Sequence, residues 1–270
     1  NFTRDITIQK CRFDSMSFEG IEGDTVAIML HGTDWDGFRR VQNVHVLDCE
    51  IVNCNDGVMP IKWSNEDVPD QVVDYQGLVI DGNHIYVDKR VYTDGEGNLD
   101  TTGHYALTEN AIDLKGGSEN ADNPMVITNN YFWGFRRTDQ NGGGSGSWGS
   151  AFVCHYGVWN VVIKDNVFFD SARGLSIGAK RKEAYSGKHI KISGNAFESI
   201  GDYWTISNAP VMSYVYETKH LTAYNNVFVE SDGDAIWLNL SGTEVDMQVV
   251  DNVVLGNLEL LDTQLAPESP

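Results

Sequence analysis

One phrase of apolar and polar positions recurs along the chain: apolar, two polar or small residues, Asn, any residue, apolar. It spans Ile80 to Ile85 around Asn83, Ile127 to Phe132 around Asn130, Ile163 to Phe168 around Asn166, and Ile192 to Phe197 around Asn195. Weaker copies surround Asn226 and Asn252, and two upstream copies place Cys11 and Cys49 where asparagine otherwise stands. The key positions lie 38, 34, 47, 36, 29, 31 and 26 residues apart, too irregular for a propeller blade or a leucine-rich repeat. Such spacing suits a coil whose loops vary in length around a constant strand, tight turn and strand. The apolar residues on either side of the turn point inward, and Asn is expected to take the left-handed backbone that the bend requires. Stacking the turns about 4.8 Å apart sets each carboxamide over the next, so they bond as a ladder. The pattern therefore predicts an all-β, right-handed parallel β-helix of about eight coils.

A second strand alternates once per coil, at Val58 to Lys62, Ala111 to Lys115, Ala151 to His155, Gly174 to Gly178, Val211 to Tyr214 and Ala235 to Asn239. Period-two alternation sends Ile112, Leu114, Phe152, Cys154, Leu175, Ile177, Ile236 and Leu238 inward. It sends Asp113, Lys115, Val153, His155, Ser176, Gly178, Trp237 and Asn239 onto one outer face. That face is expected to be an exposed strip, open to a polymer or simply solvated.

Composition narrows the classes. With 41% hydrophobic residues in 270 the chain is too apolar for disorder, and it has no apolar run of the about 18 residues that a membrane helix needs. Nineteen basic against 39 acidic residues give a net charge of −20, which repels nucleic acid from most of the surface. Neither nucleic acid nor membrane is expected as a partner. The run from Gly142 to Ser150 is linker-like in composition, but strands of the same type continue on both sides. One β-helix domain over 1–270 is the expectation, within a longer secreted or cell-surface protein, and as a monomer. Four cysteines lack metal-type spacing. Cys11 and Cys49 fall on neighbouring ladder positions at a spacing compatible with a disulfide, although in-register parallel strands seldom orient sulfurs well.

On these repeats the chain resembles the pectate-lyase-like superfamily of right-handed β-helix proteins, whose members mostly cleave or bind polysaccharides. Its nearest local likeness is to family 9 polysaccharide lyases, where an Asp-Asp-Gly-Trp-Asp-Leu segment holds calcium with an Asp one coil earlier. Residues Glu109 to Leu114 are similar to that segment, and Asn55 to Val58 to the earlier coil, with Glu109 and Asn110 in place of two aspartates. The resemblance implies a calcium site of Asp56, Glu109, Asn110 and Asp113. The residue chemistry supports it: hard cations take six to eight oxygen ligands, and these four side chains supply several from two coils. Turn capping and solubility are the plainer use of the same groups. A second acidic loop, Asp94 to Asp100, alternates oxygen side chains but lacks the Gly and Glu of an EF-hand. Segments Glu109 to Gly116 and Ala172 to Gly178 also resemble family 28 glycoside hydrolases. There Asn110 replaces a carboxylic acid and Arg173 a histidine, so the acid pair that inverting hydrolysis requires is missing.

Elimination in a uronic-acid polymer needs a base and a positive group that neutralises the substrate carboxylate. Lys115, His155, Arg173, Lys180 and Arg181 form the cationic cluster on consecutive coils. Lys115 is the first choice of base, His155 the alternative, and Arg173 the carboxylate partner. Lys180 and Arg181, with Lys182 beside them, suit a carboxylate or sulfate on the substrate. Trp148 in the Gly/Ser loop and Trp237 on the outward strip offer stacking surfaces for sugar rings. Trp133 is expected to pack beneath a loop. The sequence leads to a polysaccharide-active β-helix, as a calcium-assisted lyase or as a noncatalytic carbohydrate-binding module. Hydrolase and trimeric adhesin or spike-stalk readings stand behind these.

Overall fold

A computed structural model of the chain describes residues 2–14, 26–33, 40–63, 74–88, 109–135, 149–155, 158–177, 187–201, 212–213, 218–229, 236–240, 246–256 and 261–265. They form a right-handed parallel β-helix of three eight-stranded sheets, with no helix among the described residues. Sheet A holds β1 (Phe2–Gln9), β4 (Arg40–Leu47), β7 (Val79–Asp81), β10 (Met125–Thr128), β13 (Trp159–Lys164), β16 (Lys188–Ser193), β19 (Lys219–Tyr224) and β22 (Gln248–Val250). Sheet B holds β2 (Arg12–Asp14), β5 (Glu50–Val52), β8 (His84–Tyr86), β11 (Tyr131–Trp133), β14 (Val167–Phe169), β17 (Ala196–Glu198), β20 (Val227–Val229) and β23 (Val253–Leu255). Sheet C holds β3 (Val26–Thr33), β6 (Asp56–Trp63), β9 (Asn110–Leu114), β12 (Ser150–Cys154), β15 (Arg173–Ile177), β18 (Met212–Ser213), β21 (Ile236–Leu240) and β24 (Leu261–Leu265).

The ladder lies in the turn between sheets A and B. Asn83 donates from Nδ2 to Oδ1 of Asn130 at 2.9 Å, Asn130 to Asn166 at 2.9 Å, Asn166 to Asn195 at 3.0 Å, Asn195 to Asn226 at 3.0 Å, and Asn226 to Asn252 at 2.9 Å. Each Oδ1 also accepts the backbone N–H of the previous ladder residue, so buried amides are satisfied by their own copies.

One expectation shifts by a residue. The left-handed position is not the ladder asparagine but the residue before it: Gly82 (φ 68°), Asn129 (54°), Asp165 (55°), Gly194 (66°), Asn225 (54°) and Asp251 (52°). That bend turns the next side chain into the coil, where its carboxamide meets its neighbours. Gly, Asn and Asp are the residues that enter this region at least cost, and they occupy it in all six of these turns.

Inside sheet B the rings of Phe168, Phe197 and Phe228 stack at 4.6 and 5.0 Å along the axis, Phe132 meets Phe168 tilted by 42° at 5.1 Å, and all four are fully buried. The inward residues of sheet C are buried as alternation requires: Ile112, Leu114, Phe152, Cys154, Leu175, Ile177 and Ile236. All four cysteines are free thiols.

Candidate functional site

Sheet C collects the candidate groups. Asp56 opens β6 and pairs in register with Asn110, the first residue of β9. The backbone N–H groups of Glu109 and Asn110 both bond to the carbonyl of Asn55, at 2.9 and 3.3 Å, which ties the acidic turn to the coil before it. Gly57 allows this close approach, because a Cβ there would lie 2.4 Å from the carbonyl oxygen of Ala111. Carboxylate oxygens of Asp56, Glu109 and Asp113 consequently lie within 4.8 Å of one another. Asn55 is also buried here, and its Oδ1 has no hydrogen-bond donor among the described residues.

The bases adjoin the acids. Lys115 Nζ is 2.6 Å from Oδ2 of Asp113, and His155 Nδ1 is 3.7 Å from Oδ1 of the same carboxylate. Lys115 is fixed by its backbone N–H to the carbonyl of Pro60 at 2.9 Å, and its ammonium lies 3.9 Å from the sulfur of Met59. His155 is fixed in the same way to the carbonyl of Leu114 at 2.9 Å. Arg173 begins β15, paired with Ser150, while Ser150 and Ser176 share a 2.9 Å hydrogen bond between hydroxyls. Lys115 and His155 thus directly follow β9 and β12, and Arg173 opens β15, the next strand of the same sheet.

The outer face of sheet C is not the exposed strip that alternation suggests. Asp113 is 0% exposed, Val153 2% and Ser176 5%, so these outward side chains are nearly as buried as the core, and Arg173, at the start of β15 on the parity of Leu175 and Ile177, is 9% exposed. Alternation fixes which way a side chain points and says nothing about what lies over it. Inward of the same face, burial and then the charge of Asp113 push the Cys154 thiol well above the usual thiol range, so it is an inert core residue.

Trp148, Lys180, Arg181, Lys182 and the loop Asp94 to Asp100 lie outside the described residues. The backbone of Trp237 lies in β21 beside Asp262, and its side chain is outside the description. Trp133 stands half-buried on the outer face of sheet B, stacked on Tyr86 at 4.6 Å and 7°, and donates from Nε1 to Nε2 of His84 at 2.7 Å. Tyr86 in turn donates to Glu50 at 2.9 Å, and Arg12 holds Glu50 and Asp14. The sequence signal for this cluster was present, since His84, Tyr86, Tyr131 and Trp133 occupy the two outward positions of successive sheet B strands.

No family model matches the chain, and neither does any curated protein. Among solved structures it is similar to the Streptococcus pneumoniae surface protein and adhesin PfbA, at 12% identity over 98% of this chain and 88% of that one, with a TM-score of 0.41. It is also similar to a tailspike protein of E. coli bacteriophage HK620 solved in complex with a pentasaccharide. There the identity is 12% over 90% of this chain and 47% of that one, with a TM-score of 0.35. At these values neither likeness assigns the chain a family or an activity.

Proposed function

We propose that the chain is a polysaccharide-engaging β-helix of the pectate-lyase-like type, acting outside the cell as a calcium-assisted lyase on a uronic-acid polymer. The observation that carries this reading is the grouping on sheet C of Asp56, Glu109 and Asp113 with Lys115 and His155. Lys115 Nζ lies 2.6 Å from Asp113, and Asp56 and Asp113 are both fully buried. Carboxylates buried this close to one another repel, and a bound cation would offset that repulsion. Oxygen donors within 4.8 Å of one another fit a hard divalent ion, and Asn110 beside Asp56 fits as a further ligand. Bound there, calcium would supply positive charge to a substrate carboxylate. Lys115 would take the proton beside that carboxylate, with His155 as the alternative base and Arg173 on the substrate's negative charge.

A second reading has its own support. Lys115 is already held by Asp113 at 2.6 Å, as in a structural ion pair, and such a face can bind a polysaccharide without cleaving it. The deciding experiment incubates the protein with pectate, alginate and glycosaminoglycan in calcium and follows absorbance from unsaturated products. The lyase reading expects product that Lys115→Ala abolishes and that Asp56→Asn reduces together with calcium affinity in calorimetry. Silence across the panel with retardation in polysaccharide affinity gels would leave the binding module, and silence with no retardation would overturn both.

A further inference from the structure

The Asn ladder departs from asparagine at two coils, and these are consecutive. Cys11 and Cys49 stand where every later coil from Asn83 to Asn252 has its carboxamide. The thiols copy the carboxamide geometry. Asn83 directs Nδ2 at the carbonyls of Val46, one coil back, and Asp81, two residues back. Cys49 directs Sγ at Ile8, one coil back, at 3.6 Å, and Leu47, two residues back, at 3.3 Å. Cys11 directs Sγ at the carbonyl of Gln9 at 3.4 Å. Both sulfurs therefore enter the turn from the same side.

The register puts them side by side. Arg12 pairs with Glu50 and Phe13 with Ile51, and the N–H of Glu50 donates to the carbonyl of Cys11 at 2.9 Å. Neighbouring parallel strands hold paired Cα atoms about 4.8 Å apart, inside the range of about 4.4–6.8 Å that a disulfide spans. Both thiols thus flank the same turn on paired strands, each aimed at the carbonyl two residues before it. Cys11 is exposed and Cys49 buried, and Cys54 and Cys154 are each buried elsewhere. A cysteine at one ladder position would merely lose an amide contact. Two at adjacent positions exchange that contact for a covalent bond between neighbouring coils.

We propose that Cys11 and Cys49 are a redox pair that closes into a cross-coil disulfide by exchange with a low-molecular-weight disulfide. The thiolate of exposed Cys11 attacks one sulfur of the small disulfide, forming a mixed disulfide and releasing one thiol. The thiolate of Cys49 then attacks the Cys11 sulfur, forming the Cys11–Cys49 bond and releasing the second thiol. The two protein thiols are oxidised and the small disulfide is reduced to two thiols. Burial raises the Cys49 thiol above its usual range, which slows the second step, while its fixed position beside Cys11 favours it. The bond would staple the first coil to the second in an oxidising compartment, independently of any polysaccharide chemistry on sheet C.

The test equilibrates the native protein with oxidised glutathione and counts accessible and total thiols under denaturing conditions, with peptide mapping by mass spectrometry. The expected result is loss of two of the four thiols and of the mass of two hydrogen atoms, with one linked pair of peptides containing Cys11 and Cys49. Thermal unfolding should move up by several degrees and return on reduction. Cys49→Ser should stop the reaction at a glutathione adduct on Cys11, and Cys11→Ser should lose no thiols. Four thiols retained in the native protein, an adduct on Cys11 that never resolves, or a dimer joined through Cys11 would each overturn the proposal.

Discussion

Replacing Asn166 by alanine tests whether the ladder stabilises the fold by satisfying buried amides. The side chain makes four hydrogen bonds. Its Nδ2 donates to the carbonyl of Ile127 at 3.1 Å and to Oδ1 of Asn195 at 3.0 Å, and its Oδ1 accepts the backbone N–H of Asn130 at 3.0 Å and Nδ2 of Asn130 at 2.9 Å. Three of the four partner groups fall back on other bonds. Asn130 Nδ2 keeps the carbonyls of Ile80 and Thr128, Asn195 Oδ1 keeps the Asn166 backbone N–H, and the Ile127 carbonyl remains part of the parallel ladder between β10 and β13. The Asn130 backbone N–H is left buried with no acceptor. A stranded buried donor costs about 1–3 kcal/mol and each of the three other lost bonds about 0.5–1, so the expected loss is about 2.5–6 kcal/mol. Asn252→Ala is the internal control. It removes the counterparts of three of these bonds, with one to the Val250 carbonyl in place of an onward carboxamide, at a partly exposed turn where water can replace them, and should cost about 1–2 kcal/mol. Urea unfolding monitored by far-ultraviolet circular dichroism gives both values, with unchanged slopes required for the comparison. Equal losses for the two variants, or less than about 1 kcal/mol for Asn166→Ala, would refute the reasoning.

Two further outcomes follow from single contacts. His84 is held below its ordinary value of 6.5, chiefly by burial, and it accepts the Trp133 N–H through Nε2, which a protonated ring cannot do. The unfolded state therefore binds more protons than the folded one below pH 6.5, so stability should fall as pH drops from 7 through the folded value, and His84→Phe should flatten that part of the curve. Unfolding midpoints across pH 5–7 decide it, and an unchanged slope in the variant would exclude His84 as the source. Gly57→Ala should cost about 1–3 kcal/mol, because its Cβ would meet the Ala111 carbonyl oxygen at 2.4 Å and Ile85 Cγ2 at 2.7 Å. A chemical-denaturation midpoint equal to that of the parent would show that β6 and β9 can separate without loss.

The coil was legible because its polar residues carry more information than its apolar ones. An Asn embedded in an apolar phrase has to find a partner, and the side-chain partner that the repeat itself supplies is the next Asn. Direction was equally legible: Ile112, Phe152 and Leu175 lie where alternation puts them. The left-handed residue was misplaced by one because Asn also occurs at that position, in Asn129 and Asn225, so ladder and bend share a residue type. A second left-handed column at the start of the sheet A strands was not legible at all. It contains Asn43, Asn160, His189, His220 and Asp246, and His189 and His220 stack there at 4.5 Å. Asn, Asp and His enter that region more readily than other side chains, but all three are also common elsewhere, so residue type alone does not mark the column.

Burial of the outer face of sheet C was illegible for a different reason, and it changes how the site would work. An exposed strip would offer carboxylates and bases equally to a ligand. Instead the side-chain exposures are graded: 0% for Asp113, 14% for Lys115 and 24% for His155. A polymer reaching this face would meet the two bases first and the carboxylate behind them. Asp113 contacts both, at 2.6 and 3.7 Å from its two oxygens, so its geometric role is to orient Lys115 and His155 from below. On the proposed lyase reading, Asp113 is then a positioning group for whichever residue takes the proton, as well as a ligand in the acidic cluster. On the binding reading the same carboxylate presents two cationic or hydrogen-bonding groups to an acidic sugar at fixed separation. On either reading the two bases stand between buried Asp113 and an approaching acidic chain, which would offset locally the repulsion expected from a net charge of −20.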